Sequence, residues 1–403
     1  MSEPFALPEG VSAILTRLRD SGFPAFPAGG CVRDSLLGRR VHDWDVATAA
    51  LPEQVTALFR RTAATGLKHG TVTVLLGRLA VEVTTFRTEG GYTDGRRPDS
   101  VTFVPRLEAD LARRDFTVNA MALGPDGQVI DPFGGRDDLR RRIIRCVGDP
   151  AARFGEDALR LWRAVRFSAM LGFGIEAATW DAMSACAPLT ARLAPERVSA
   201  ELERILLSGA AARLADVLPL GLLDPLLTAH PTFRLPLETL KTLPRKPETR
   251  WAGLAALLRR AGCLADSLAF LRALRLPNRV TYPAGMGAEW ALAQPLPGEP
   301  VGWRRLCADR GVPEALCAAA AGDALAGGPP RYVPALREVL RPGPCLSVKQ
   351  LALTGEHLAL VGLAGPQIGR AQRRLLEHVL RRPEDNTLDA LLSLLETIDS
   401  KNR

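Results

Sequence analysis

The chain changes character once along its length, near Gly148, and that change constrains its fold more than any other feature. Upstream, β-branched runs alternate with short helical ones; downstream, strand-like runs vanish and leucine- and alanine-rich helical periodicity takes over. The expected fold class is an α/β N-terminal domain with a small mixed sheet, followed by an all-α C-terminal region. Residues 10–22 present Val11, Ile14, Leu15 and Leu18 at helical spacing and lead into an extended run over 23–28. The β-branched runs 71–76 and 79–86, joined by Gly77-Arg78, predict a hairpin. Helices are predicted over 32–37 with Gly38 closing, over 52–61 with Pro52 at the start, and over 107–113 and 117–123. Residues 88–100 read as a glycine-rich charged loop and 131–135 as a turn. Beyond Gly148, helices are predicted at 155–172, 176–187, 195–208 and 210–218. Short helices between prolines follow over 220–345, then helices at 347–361, 366–381 and 387–398.

At 403 residues the chain exceeds one ordinary domain, and divisions are expected at 1–147, 148–208, 209–345 and 346–403. The 52 Lys and Arg against 44 Asp and Glu leave a net charge of +8. Arginines gather at Arg96-Arg97, Arg140-Arg141-Arg142 with Arg145, Arg373-Arg374 and Arg381-Arg382. One such cluster is an ordinary solvated face; their number favours a polyanionic partner, nucleic acid above all. Seven cysteines without C-x-x-C spacing argue for reduced thiols and against a zinc site. The N-terminus lacks the basic region and apolar core of a signal peptide, and no apolar run reaches spanning length. A soluble, cytoplasmic protein with no membrane partner is expected.

The densest chemistry lies at Ala28-Gly29-Gly30-Cys31-Val32-Arg33-Asp34 and His42-Asp43-Trp44-Asp45. Glycines ahead of a short helix allow the backbone to approach a phosphate, the helix start offers N–H groups, and Arg33 adds a fork of donors. On a strand, Asp43 and Asp45 share one face and Trp44 takes the other. Neighbouring carboxylates repel unless a cation lies between them, so the stretch reads as a divalent-metal and triphosphate site. Glu82, inside the apolar run 79–86, is either an edge-strand acid facing water or a third carboxylate of that site.

Arg113-Arg114-Asp115 precedes Asn119 in a second polar cluster. Asp115 can cap the helix predicted there; an acid and an amide beside an arginine also suit ribose and phosphate. Asp157, Arg160, Arg163 and Arg166 follow one helix face, which means either ion pairs on a solvated surface or a recognition row. Cytosine and adenine both present an amino donor beside a ring-nitrogen acceptor. A carboxylate and a guanidinium facing that edge would take CTP and ATP and reject UTP and GTP. The five histidines do not cluster, so His42-Asp43 does not extend into the ligand set of a metal-dependent phosphohydrolase.

In order, Gly-Gly-x-Val-Arg-Asp, Asp-x-Asp, His-Gly-Thr-Val-x-Val, Glu-Val-Thr-Thr-Phe-Arg, Arg-Arg-Asp-Phe-Thr-x-Asn-Ala and Glu-Asp-x-Leu-Arg-x-x-Arg-Ala-Val-Arg-Phe resemble the motifs of class II tRNA nucleotidyltransferases. The resemblance runs continuously over 24–208 and resumes over 347–395. It implies template-independent addition of CCA to the 3′ end of tRNA from CTP and ATP, with pyrophosphate released. It implies Mg²⁺ at Asp43 and Asp45, with Glu82 completing the acidic set. Gly30, Arg33 and Arg114 would line the triphosphate and sugar site, and Asp157, Arg160, Arg163 and Arg166 would serve base and phosphate recognition. The four divisions become head, neck, body and tail, gripping tRNA by shape. Residues 220–345 carry no matching motif, and Trp44 stands where a smaller apolar residue is usual. CC-adding relatives are expected to lack the loop at 87–101. Its presence here favours full CCA addition or A addition alone over CC addition; poly(A) synthesis is a further alternative within the family, and the intact acidic set argues against a non-catalytic RNA-binding relative.

Overall fold

The β-branched runs 71–76 and 79–85 form the centre of one five-stranded sheet in the first part of the chain. Its strands are β1 (Ala25–Pro27), β2 (Asp45–Thr48), β3 (Thr62–Gly66), β4 (Thr71–Leu76) and β5 (Leu79–Thr85), in the order β1-β2-β5-β4-β3. The computed structural model describes residues 7–90 and 100–400. Its contacts divide it into two compact units, Met1–Ile205 with Val217–Pro225, and Leu206–Asp216 with Leu226–Arg403.

In the first unit the hairpin β4–β5 forms as read, with Gly77 at positive φ in its turn. β2 runs parallel to β5 and sets Asp45 beside Glu82, while the other neighbours are antiparallel. Val46, Val72, Val74, Val81 and Val83 are buried, so the hydrophobic pattern pins this register. Helix α1 (Glu9–Asp20) buries Val11, Ile14, Leu15 and Leu18, the stripe its sequence spacing marks. α3 (Pro52–Leu58) packs on β4 and β5, α2 (Gly30–Leu36) on the turn Thr117–Asn119, and α4 (Leu107–Ala112) on the strand Arg87–Gly90. Ala28, Ala47, Phe86, Leu107, Leu111, Ala120, Ala122 and Val147 form one hydrophobic core.

Several local readings are corrected. The helix expected over 52–61 ends at Leu58, and Thr62–Gly66 pairs with β4 instead. Asp43 lies before the assigned strand rather than in it. The run 117–123 is not a helix: a 3-10 turn covers Thr117–Asn119, and Ala122–Leu123 pairs with Val129–Ile130. A short buried apolar run carries no period that separates the two. The helix expected over 155–172 is broken. After α5 (Gly135–Arg141) come α6 (Pro150–Glu156) and α7 (Leu159–Leu171), separated at Asp157. Asp157 takes the Leu159 N–H on Oδ1 at 3.0 Å, and this side-chain competition for a backbone donor interrupts the helix. α8 (Ala177–Cys186) and α9 (Pro195–Leu207) follow as read. The ends of the loop predicted over 88–100 pair as Arg87–Gly90 with Ser100–Phe103; its centre, 91–99, lies outside the described residues.

The second unit is helical, and its helices are longer than the short ones expected. Pro247–Arg260, Asn278–Ala293 and Val312–Ala326 pack on one another. Pro247 and Pro313 sit in first turns, where a missing N–H costs nothing, so they start helices instead of separating them. Small residues let the helices approach: a Cβ on Gly287 would sit 2.5 Å from Cys317 Cβ and 2.6 Å from the Ala318 backbone nitrogen. Arg250 is buried and donates to the Leu206, Pro244 and Lys241 carbonyls, tying three chain segments together. Residues 347–361 hold only the turn Val348–Gln350 and the helix Gly355–Leu360, whereas Pro366–Arg381 and Leu388–Ser400 are helical as read. Leu353, Leu358, Leu375, Val379 and Leu391 form a core there. Among the described residues no helix is long and apolar enough to cross a membrane.

Because the neighbour of Gly287 is backbone, Gly287→Ala is expected to destabilise the second unit by about 1–3 kcal/mol through overpacking. Urea unfolding followed by circular dichroism measures this; an unchanged midpoint would contradict the close helix contact.

Candidate active site

A cavity of about 970 Å³ opens on the sheet in the first unit. It gathers Gly30, Arg33, Asp43, Asp45, Glu82, Arg114, Asp115, Asn119, Asp157, Arg160, Arg163 and Arg166. These residues come from five separate stretches of sequence, and the fold brings them to one space. Trp44, expected to point away, also contributes to the cavity lining while staying buried.

The acidic wall is set by strand pairing. Asp45 and Glu82 occupy opposed positions of β2 and β5. Burial, then the Glu82 charge, push the Asp45 carboxyl up to about 6; Arg114 opposes the rise and Asp43 adds to it. Gly29, at φ +88°, makes this arrangement possible. This backbone conformation favours glycine, and a Cβ there would lie 2.3 Å from Arg114 Nη1 and displace that guanidinium. Arg114 is held by the Asn119 carbonyl and by Asp110.

The basic wall is held by ion pairs. Arg33 donates twice to Asp34 at 2.9 Å and once to Asn119 Oδ1 at 2.5 Å. Arg163 reaches Asp115 at 2.6 Å, and Arg166 reaches Glu201. Asp115 does not cap a helix, as the sequence suggested it could. Its Oδ1 accepts from the Phe116 N–H and from Asn119, and its Oδ2 accepts from Arg163. Burial alone would raise its carboxyl, but the Arg163 charge and these hydrogen bonds hold it below the usual carboxylate range.

The expected row on one helix face is not a single face. Asp157 precedes α7 and is gripped by Arg197 through bonds of 3.3 and 2.8 Å. Arg160 is held by Glu156 at 2.5 Å and by the Arg153 and Arg113 carbonyls. Arg197, Glu201 and Phe167 were not assigned from sequence. Arg197 and Glu201 stand in the stretch that follows Pro195, but their partners lie 35 to 40 residues away, a distance no periodicity reveals.

Among the described residues no group of three or more Asp, Glu, His or Cys side chains is drawn together tightly enough to hold a metal on protein ligands alone. Magnesium commonly takes one or two carboxylates and completes its shell with substrate phosphates and water. Asp43 and Asp45 fit that donor set.

A mixed sheet presenting carboxylates to an arginine-walled cavity defines a nucleotidyltransferase head. Residues 25–145 match the Poly A polymerase head domain, and residues 172–233 match the "Probable RNA and SrmB- binding site of polymerase A". The CCA-adding enzyme of Geobacillus thermodenitrificans is 43% identical over 366 residues, covering 88% of this chain and 87% of that one. The CCA-adding enzyme of Geobacillus stearothermophilus is 41% identical over 405 residues, covering 98% and 97%. The crystal structure of the Bacillus stearothermophilus CCA-adding enzyme in complex with CTP matches at a TM-score of 0.77 and 36% identity, over 100% of both chains. The chain belongs to the CCA-adding enzyme family.

The depressed Asp115 carboxyl has a consequence for stability. A group whose folded pKa lies below its unfolded value stabilises above the unfolded pKa and loses that contribution as pH falls through the folded one. Asp115→Asn strands Arg163 and is expected to destabilise by about 3–5 kcal/mol at pH 7. The gap to wild type should narrow as pH drops below about 4. Urea titrations at pH 7, 5 and 3.5 measure it, and a gap constant across that range would contradict the buried pair.

Proposed function

We infer that the chain adds CCA to the 3′ end of tRNA from CTP and ATP, releasing pyrophosphate. The observation that carries this reading is the opposition of Asp45 and Glu82 on parallel strands, with Asp43 beside them, in a cavity that also holds Asp157 and Arg160. Support comes from relatives that span nearly the whole chain and from the related enzyme solved with CTP.

Asp43 and Asp45 would hold Mg²⁺, and Glu82 adds a third negative charge that favours the cation there. When bound, the metal polarises the reacting oxygen and neutralises triphosphate charge. The chain's own residues bind and orient the substrates. Gly30, Arg33 and Arg114 hold the triphosphate so that its α-phosphorus faces the tRNA 3′-hydroxyl, which attacks in line as pyrophosphate leaves. Asp115 and Asn119 lie beside the sugar. Asp115 is already engaged, so its part is to orient Arg163. Arg163 and Arg166 face phosphate and base. Asp157 accepts from the base amino group and Arg160 donates to the ring nitrogen; each is fixed by a partner of its own, Arg197 and Glu156.

The chain divides functionally into head (1–147), neck (148–208), body (209–345) and tail (346–403). The separate core around Leu375 and Leu391 supports the last division. The helical parts grip the tRNA backbone by shape. Seven unbridged cysteines support a cytoplasmic location.

The deciding experiment supplies tRNA ending at the discriminator base, after C, or after CC, with each nucleotide in turn. The expected products are C, C and A addition respectively; incorporation on none of the three substrates would refute the reading. Asp43→Ala and Asp45→Ala should each reduce incorporation by at least about 100-fold while tRNA affinity stays within about threefold. Activity close to wild type would place the metal site elsewhere. Asp157→Ala or Arg160→Ala should narrow the lead of CTP and ATP over UTP and GTP by about tenfold or more, since unmatched buried polar groups no longer penalise the wrong base. Unchanged discrimination ratios would remove the pair from base selection.

A further inference from the structure

We propose that Phe167 is a positioning residue that spaces three arginines into one phosphate-facing arc, an inference that rests on the CCA-adding reading of the cavity. Phe167 lies on α7 at the cavity wall, only 7% exposed. The guanidinium of Arg166 stands 4.1 Å from its ring centroid, that of Arg33 5.2 Å and that of Arg163 5.4 Å. All three arginines line the same cavity.

Three cations around one ring repel one another. Each is restrained on its outer side by an acid: Asp34 holds Arg33, Asp115 holds Arg163 and Glu201 holds Arg166. On the inner side the shared restraint is the ring, whose negative π face attracts guanidinium groups. Phe116 meets the ring edge-on at 5.7 Å and 78° and fixes its plane. Arg33 comes from α2, whereas Arg163 and Arg166 come from α7, so the ring is where the two groups of cations meet. An aliphatic side chain fills much of the same space without a negative face. Without that face the repulsion among the three guanidinium groups is no longer offset on the inner side; they spread apart on their carboxylate tethers, and the field focused on a polyphosphate weakens. Phosphate is common to CTP and ATP, so both should suffer alike. Phe167 need touch neither the base nor the reacting atoms.

Phe167→Leu is therefore expected to raise KM for CTP and for ATP together by roughly 10- to 100-fold. kcat should stay within about threefold, the split expected when binding common to ground and transition state is lost. Phe167→Tyr keeps the ring and should return both KM values to within about threefold of wild type. Calorimetric titration with CTP, with Mg²⁺ and without tRNA, should rank the three proteins in the same order and does not depend on turnover. A wild-type protein that binds CTP but extends no tRNA would refute the CCA-adding reading while leaving this ranking intact. The proposal is overturned if Phe167→Leu binds CTP as well as wild type, or if Phe167→Tyr is as impaired as Phe167→Leu. Should circular dichroism show that Phe167→Leu does not fold, Phe167→Met, apolar and of similar reach but without a π face, takes its place with the same expectations.

Discussion

Two carboxylates that repel each other are held side by side by a backbone ladder, and the cavity is arranged around that fact. Asp45 and Glu82 are paired positions on parallel strands anchored by the buried Val46, Val81 and Val83, so their backbones cannot part without moving the sheet, although the Glu82 side chain itself is exposed. Burial first, and then the Glu82 charge, raise the Asp45 carboxyl. A cation opposes that rise, and so, in part, does Arg114, which Gly29 admits by lacking a side chain. A glycine, an arginine and two acids from distant parts of the chain thus form one dependent set.

The opposite wall follows a different rule. Its arginines are positioned one by one by acids, some near in sequence, as Asp34 to Arg33 and Glu156 to Arg160, and others across long sequence intervals: Asp115 to Arg163, Glu201 to Arg166, Asp157 to Arg197. Buried ion pairs contribute little net stability, because desolvation offsets much of the attraction. What they do supply here is geometry. A guanidinium already fixed by a carboxylate has little freedom left to lose when a phosphate or base arrives, which is preorganisation in the sense that matters for binding.

The second unit is built on helix contacts made possible by glycine and alanine, and on Arg250 collecting three backbone carbonyls. These are packing devices with no chemistry of their own. They suit a region whose proposed task is to present a rigid basic surface to a polyanion, where shape and charge matter more than any single side chain.

The sequence by itself determined the class of fold, the β4–β5 hairpin, the amphipathic first helix and most of the acids and arginines that meet in the cavity, though not Arg197 or Phe167. These rest on local periodicity and on dense motifs, which are short-range properties. It also placed Glu82 at a fork between solvent-facing acid and site member, and no local signal could choose. Only the parallel pairing of β2 with β5, joining positions 37 residues apart, set it beside Asp45. Tertiary structure likewise gave the Asp157 carboxylate to Arg197, a partner 40 residues away, instead of leaving it in a row with Arg160. The helix break at Asp157 and the pairing of Ala122–Leu123 with Val129–Ile130 were decided closer by, through the Leu159 N–H and through a strand a few residues on. Propensity sees neighbours a few residues away, whereas an ion pair or a strand register is chosen by whatever the rest of the fold brings near.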